Sequence, residues 1–260
     1  MLNTNQLPKS LILIFFISLF LISCGSKKDV VYFQDVGSYE TIVNETPFIS
    51  KFKVDDVVSI YVSTLNPEAS APFNLFRGGR EAGGTGMQEQ VDYLVDESGN
   101  IDFPVIGKIK IAGLSSEELR ELLTKELFDY LKDPIINIRL KNFTVTVLGQ
   151  VNRPGTYEVN GEQITILEAI GLAGDLDIKG IRKNVLVIRD FNGTKAYYKI
   201  DLTTKEAMKS PVYYLTQNDV VIIEPNRSAI TSSTLDNRAT LMVSIASILI
   251  SSTILILTRQ

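Results

Sequence analysis

Two uncharged apolar stretches, one near each end, constrain the fold more than any other feature of this 260-residue chain. Leu11 to Ile22 (LILIFFISLFLI) is broken only by Ser18, and Lys9 is the only charged side chain before it. Ala239 to Thr258 (ATLMVSIASILISSTILILT) is twenty residues without a charge, set between Arg238 and Arg259. The residues between them are ordinary, and the two ends account for the slightly positive mean hydropathy of +0.12. Overall, 45% hydrophobic and 22% charged residues exclude wholesale disorder. The chain has no histidine, no tryptophan and one cysteine. A Ser-His-Asp triad, a Cys-His dyad, a His or multi-Cys zinc site and an intrachain disulfide are therefore excluded. The net charge of −4 argues against a nucleic-acid-binding surface.

The first stretch would span about 18 Å as a helix, too short for a comfortable membrane crossing and suited to a signal-peptide apolar region. It ends in Leu21-Ile22-Ser23-Cys24, a small residue before the lone cysteine. This ending resembles a bacterial lipobox. The resemblance implies cleavage between Ser23 and Cys24 and a lipid on Cys24, enough apolar chain for stable anchoring. Residue 25 is Gly rather than Asp, which by analogy with sorting rules does not retain a protein at the inner membrane.

The second stretch would span about 30 Å, the thickness of a hydrocarbon core, and is expected to be a transmembrane helix. Thr240, Ser244, Ser247, Ser251 and Thr258 fall on one face of it at helical spacing. Such a stripe suits a close helix–helix interface or a water-filled lumen. Serines can also bond back to their own helix.

Between the ends, residues 24–47 form an extended segment with an apolar patch at Val30 to Phe33. The β-branched run Val57 to Val62 is a predicted strand, and short strands follow at Tyr93–Val95 and Ile101–Phe103 around a turn at Glu97 to Asn100. The Gly-rich 77–86 stretch lacks the Gly-Lys-Ser/Thr of a phosphate loop and is a loop by composition. Ser115 and Glu118 have capping-box spacing and open a helix whose apolar face runs Leu119, Leu122, Leu123, Leu127, Tyr130 and Leu131, ended by Asp133-Pro134. Strands follow at Ile135–Leu140 and Phe143–Leu148. Thr165 and Glu168 repeat the capping signature for a helix stopped by Gly174. Val185–Arg189, Tyr197–Ile200 and Val220–Glu224 complete the strands. The expected fold is α+β: two small domains, 48–141 and 142–226, preceded by a leader at 1–23 and the segment 24–47, and followed by a helical region at 227–260.

The motifs in the two domains are specific. Asp96, Gly99, Pro104, Gly107, Gly113 and Leu114 stand in Val95-Asp96-x-x-Gly99-x-Ile101-x-Phe103-Pro104-x-Ile106-Gly107, continued to Leu114. This resembles the signature of the polysaccharide biosynthesis/export family, outer-membrane exporters of the Wza type. Gly149, Val151, Pro154 and Gly155, then Ala169, Gly174 and Asp219, resemble a single SLBB (soluble-ligand-binding β-grasp) domain. The match runs from about Phe48 to Pro225. It departs where family members carry Gly-Asp and this chain has Asp55-Asp56, and where Ala-Gly-Gly becomes Ala173-Gly174-Asp175.

The resemblance implies a periplasmic pair of domains, a polysaccharide-export domain and an SLBB domain, plus a C-terminal transmembrane helix. It implies assembly with itself into a ring, an octamer, in the outer membrane. Capsular polysaccharide or exopolysaccharide would pass through the lumen, driven by an inner-membrane co-polymerase partner. No catalytic residue, no metal and no cofactor beyond the lipid on Cys24 are expected. The competing reading is a monomeric glycan-binding or scaffold lipoprotein that forms no pore. A glycan-cleaving enzyme would need paired carboxylates, and Asp55, Asp56, Asp96, Asp102, Asp175 and Asp177 are accounted for by turns and solvation.

Overall fold

The structure is a computed structural model that describes residues 30–41, 48–77, 89–191, 193–234 and 237–258. Ser23, Cys24 and the rest of the leader lie outside these residues, as does the Gly-rich stretch beyond Arg77.

The first unit begins with β1 (Val57–Ser63). Its alternation buries Val58, Ile60 and Val62 completely. A short helix α1 (Pro67–Ser70) is capped by Asn66, whose side chain accepts from the Glu68 amide. Strands β2 (Phe76–Arg77) and β3 (Glu89–Gln90) pair with each other, a feature the sequence did not signal. Then come β4 (Tyr93–Leu94), the hairpin of β5 (Asn100–Phe103) with β6 (Gly107–Lys110), helix α2 (Ser116–Leu127) and strand β7 (Ile135–Leu140). The sheet order is β4-β1-β7, antiparallel, in register from Val58 opposite Leu140 to Ser63 opposite Ile135.

Helix α2 starts as its sequence requires. Ser115 and Glu118 exchange side-chain and backbone bonds in a full capping box. Leu119, Leu123 and Leu127 recur every four residues and are fully buried against the sheet. The helix stops at Leu127, short of Asp133-Pro134. Loose turns continue the path, with the Leu131 amide bonded to the Leu127 carbonyl at 2.8 Å, so Leu131 stays buried while Tyr130 is exposed.

The second unit contains β8 (Thr144–Gly149), β9 (Gly155–Glu158), β10 (Ile164–Thr165), helix α3 (Ile166–Leu172), β11 (Val185–Phe191), β12 (Thr194–Ile200), β13 (Tyr214–Leu215) and β14 (Val220–Ile223). Five strands form one sheet in the order β12-β11-β14-β8-β9. Only β14 and β8 are parallel within it. Its core gathers Val145, Val147, Val185, Val187, Val221 and Ile223 from the strands with Ile166, Ala169 and Ile170 from α3. Thr165 and Glu168 form the second capping box, and Gly174 takes φ +77° just past the helix end.

The segment 30–41 packs on the second unit before the chain builds the first. Tyr32 and Phe33 pack against the second core. The Phe33 and Gln34 amides bond to the Leu202 and Thr203 carbonyls at 3.2 and 2.8 Å. Tyr32 donates its hydroxyl to Asp175 at 2.6 Å, and Lys205 pairs with Glu40 at 2.5 Å. Asp175 occupies φ +72° and Asp55 φ +69°, the two positions where the resemblance leads one to expect a turn glycine. Both keep a left-handed turn without glycine, which aspartate tolerates better than most residues.

Beyond β14 lie helices α4 (Arg227–Thr234) and α5 (Asn237–Thr258). The helix expected from the C-terminal stretch is present, but the expectation that it crosses a membrane is overturned. No helix among the described residues is long and apolar enough to do so. Seven of the 22 residues of α5 are Ser or Thr, and the helix opens on Asn237-Arg238, so its apolar run is repeatedly interrupted. The α+β architecture of the two units stands.

Candidate functional site

Lys53, in the loop before β1, reaches across to the second unit. Its ammonium donates to Thr216 Oγ1 at 3.2 Å, and burial pushes its pKa down. Thr216 in turn donates its amide and hydroxyl to Asp219 at 2.8 and 3.2 Å. Asp219 is fully buried and paired with Arg189, whose Nη2 lies 2.7 Å from Oδ2. The same guanidinium bonds the Tyr214 and Pro211 carbonyls, so a buried charge pair is satisfied on every side. Lys53 thus ties the first unit to the central ion pair of the second.

Two further contacts close the seam. The Phe48 ring stacks on Tyr214, centroids 5.3 Å apart and 14° from parallel, and Gln163 donates to the Phe48 carbonyl at 3.2 Å. In the linker, Asn142 accepts from the Val57 amide at 2.9 Å and donates to the Asp55 carbonyl at 3.0 Å. Beside it, Asp56 is 2% exposed and accepts from the Lys53 amide at 2.8 Å. Burial pushes its carboxyl up to about 6.

Alongside this seam the two units leave a cleft of about 850 Å³. One wall is Arg120 of α2 with Asn137, Arg139 and Lys141 on and after β7; the other is Glu158, Asn160 and Glu162 at and beyond the end of β9. A smaller recess of about 270 Å³ adjoins it, lined in part by Phe48, Lys51 and Phe52, and shares Arg120, Leu140 and Glu162 with the cleft. Arg120 is held in place by Glu117 and by the Ile136 carbonyl. The lining is rich in hydrogen-bonding side chains and suits a polar ligand.

The signature residues lie elsewhere and shape the backbone. Asp96 accepts from the Asn100 amide at 2.8 Å, which with neighbouring bonds holds its carboxyl below the usual range. Gly99 takes φ +79°, and a Cβ there would sit 2.6 Å from that of Ala112. Pro104 and Gly107 form the β5–β6 turn, where the Ile106 amide bonds the Pro104 carbonyl. Gly113 and Leu114 exchange backbone bonds with Phe52 at 2.8 and 2.9 Å. Gly149 ends β8 at φ +90° against the Ile223 carbonyl. Val151 bridges to Leu176, Pro154 precedes β9, Gly155 begins it, and Ala169 is buried in α3. On α5, Ser247 and Ser251 donate to the Ser244 and Ser247 carbonyls at 2.8 Å, bonding within their own helix; Thr240 and Thr258 belong to the same helix.

Of the six aspartates weighed for an enzyme, Asp102 lies in strand β5 and the others in turns and loops, and they do not face each other across a pocket. Asp177, for example, caps its own loop by accepting from the Lys179 amide at 2.7 Å. Among the described residues no group of three or more acidic, His or Cys side chains could hold a metal. The cleft residues were not singled out from sequence. The only trace of them is the polar alternation of Asn137, Arg139 and Lys141 opposite the buried Ile136 and Ile138.

The described residues form two α+β units that present a polar cleft and, among themselves, no catalytic constellation. Residues 49–141 match the polysaccharide biosynthesis/export protein family, and residues 144–223 match the SLBB domain. The chain thus carries a unit of the polysaccharide biosynthesis/export family, a family of transport components, followed directly by an SLBB unit. It is 25% identical over 203 residues to the EPS I polysaccharide export outer membrane protein EpsA of Ralstonia solanacearum, covering 75% of this chain and 52% of that protein. It is 29% identical over 149 residues to the protein of the same description from Ralstonia nicotianae, covering 55% of this chain and 38% of that protein. The chain therefore aligns with about half the length of the first relative and less of the second.

Proposed function

We propose that the protein is a subunit of an oligomeric outer-membrane assembly that exports capsular polysaccharide or exopolysaccharide from the periplasm to the cell surface. The observation that carries this reading is the consecutive match of an export unit and an SLBB unit, 49–141 and 144–223. Relatives described as polysaccharide export outer membrane proteins support it. Ring-forming copies of the chain would surround the polysaccharide in transit, with an inner-membrane co-polymerase supplying it. A lipid on Cys24 would attach the chain to the outer membrane, and the bulk would lie in the periplasm.

Deleting the gene should abolish surface polysaccharide and leave polymer in the periplasm, restored by a plasmid copy. Unchanged surface polysaccharide would refute the export role. Mass measurement of the detergent-extracted protein tests the assembly. A monomer would favour the reading as a glycan-binding lipoprotein that forms no pore. Cys24→Ser should leave an unprocessed precursor, and a product of mature size would refute the lipid attachment.

A further inference from the structure

The cleft between the two units has walls of opposite charge that do not close on each other. Arg139 and Lys141 stand on one side, Glu158 and Glu162 on the other, around one cavity of about 850 Å³. Among the described residues, none of these four side chains makes an ion pair or a hydrogen bond. By contrast, Arg120 at the junction with the smaller recess is fixed by Glu117 and Ile136. The cleft is therefore framed by a positioned guanidinium and flanked by donors on one wall and acceptors on the other, all uncommitted.

A ligand that satisfies both walls must carry donors and acceptors on the same small unit, repeated along its length. Hydroxyl groups do this, since each donates once and accepts twice. An apolar peptide side chain or an acyl chain would leave the charged walls desolvated and unpaired. The volume lies within the roughly 300–1,000 Å³ usual for small-ligand sites. The adjoining recess adds apolar surface from Phe48 and Leu140, on which the C–H face of a sugar ring can rest.

We propose that this interdomain cleft is a binding subsite for a segment of carbohydrate chain. Arg139 and Lys141 donate to the hydroxyls of successive sugar units, and Glu158 and Glu162 accept from them. The inference rests on the export reading for the class of ligand, and on the geometry for the place. Binding here involves no covalent step. It would hold the chain between the export unit and the SLBB unit, at the seam fixed by Lys53 and Phe48.

The test uses the purified full-length protein in detergent and calorimetric titration with two probes, a neutral hexasaccharide and an oligogalacturonate of the same length. The wild type should bind the neutral probe. Arg139→Gln/Lys141→Gln and Glu158→Gln/Glu162→Gln should each weaken it by about tenfold or more, the scale of lost charge-assisted hydrogen bonds. The acidic probe should lose affinity only in the first variant, because the second removes carboxylates that repel it. Lys195→Gln/Lys199→Gln, on the distant strand β12, should change neither, and circular dichroism should be native for all three. Equal affinity of the wild type and both cleft variants would overturn the proposal, as would no binding of either probe at millimolar concentration. Cellular export separates this failure from that of the export reading. Cleft variants that lose binding yet export normally would remove the subsite from the export path and leave the export role intact. Export unchanged by gene deletion would overturn the export role itself, whatever the cleft binds.

Discussion

Replacing Gly149 with alanine should destabilise the second unit far more than the same change at Gly193. Both glycines belong to the five-stranded unit and have nearly equal backbone geometry, φ +90° and +88°. An alanine in that region costs about 1–2 kcal/mol at either position. Their surroundings differ. A Cβ at Gly193 meets nothing within 4 Å, whereas one at Gly149 would lie 2.0 Å from the Ile223 carbonyl oxygen. That oxygen is backbone, in the parallel β8–β14 pairing, and it also accepts from the Gln150 amide at 3.1 Å. Relief requires β14 to move away from β8, an overpacking penalty of about 1–3 kcal/mol. Gly149→Ala should therefore lose about 2–5 kcal/mol and Gly193→Ala about 1–2 kcal/mol. Urea unfolding of the purified protein, followed by circular dichroism, measures both. Equal losses would refute the close strand approach as the reason for glycine at position 149.

Two other outcomes follow from the buried charges. Asp219→Ala leaves the Arg189 guanidinium buried without its carboxylate and should cost about 3–5 kcal/mol in urea unfolding; the apolar pair Arg189→Met/Asp219→Leu should lose less, and a larger loss would contradict the pairing argument. Asp56 has its carboxyl raised from 3.8 to about 6 by burial, so the folded state holds that proton more tightly than the unfolded state. The associated stability is fully present below 3.8 and disappears as pH rises through about 6. Thermal midpoints of the wild type and Asp56→Asn should thus diverge in favour of the variant as pH rises across that window, and parallel curves would show that burial does not shift Asp56.

Much of the candidate site was hidden for a physical reason. The signature glycines and prolines stand out in sequence because a positive φ or a close backbone approach restricts the residue, as at Gly99 and Gly149. They mark turns, and turns are where the two units fold rather than where they meet a ligand. Arg139 and Glu158 carry no such restriction. Each is a polar residue at or near a strand end, unremarkable until the fold brings β7 of one unit and β9 of the other to the same cleft. The docking of 30–41 on the second unit was equally unreadable, because its partners Asp175, Leu202 and Lys205 lie more than a hundred residues away.

By itself the sequence determined the local elements and the family. Capping boxes at Ser115 and Thr165 and alternation in β1 and β7 depend on neighbours within a few residues, so they are written in spacing. Tertiary structure decided what spacing cannot carry. It turned Asp219 from a motif residue into half of a buried ion pair with Arg189, thirty residues back in the chain. It also set two uncommitted charged walls around one cleft. These depend on residues distant in the chain becoming close in space, and on burial, which is a property of the packed whole.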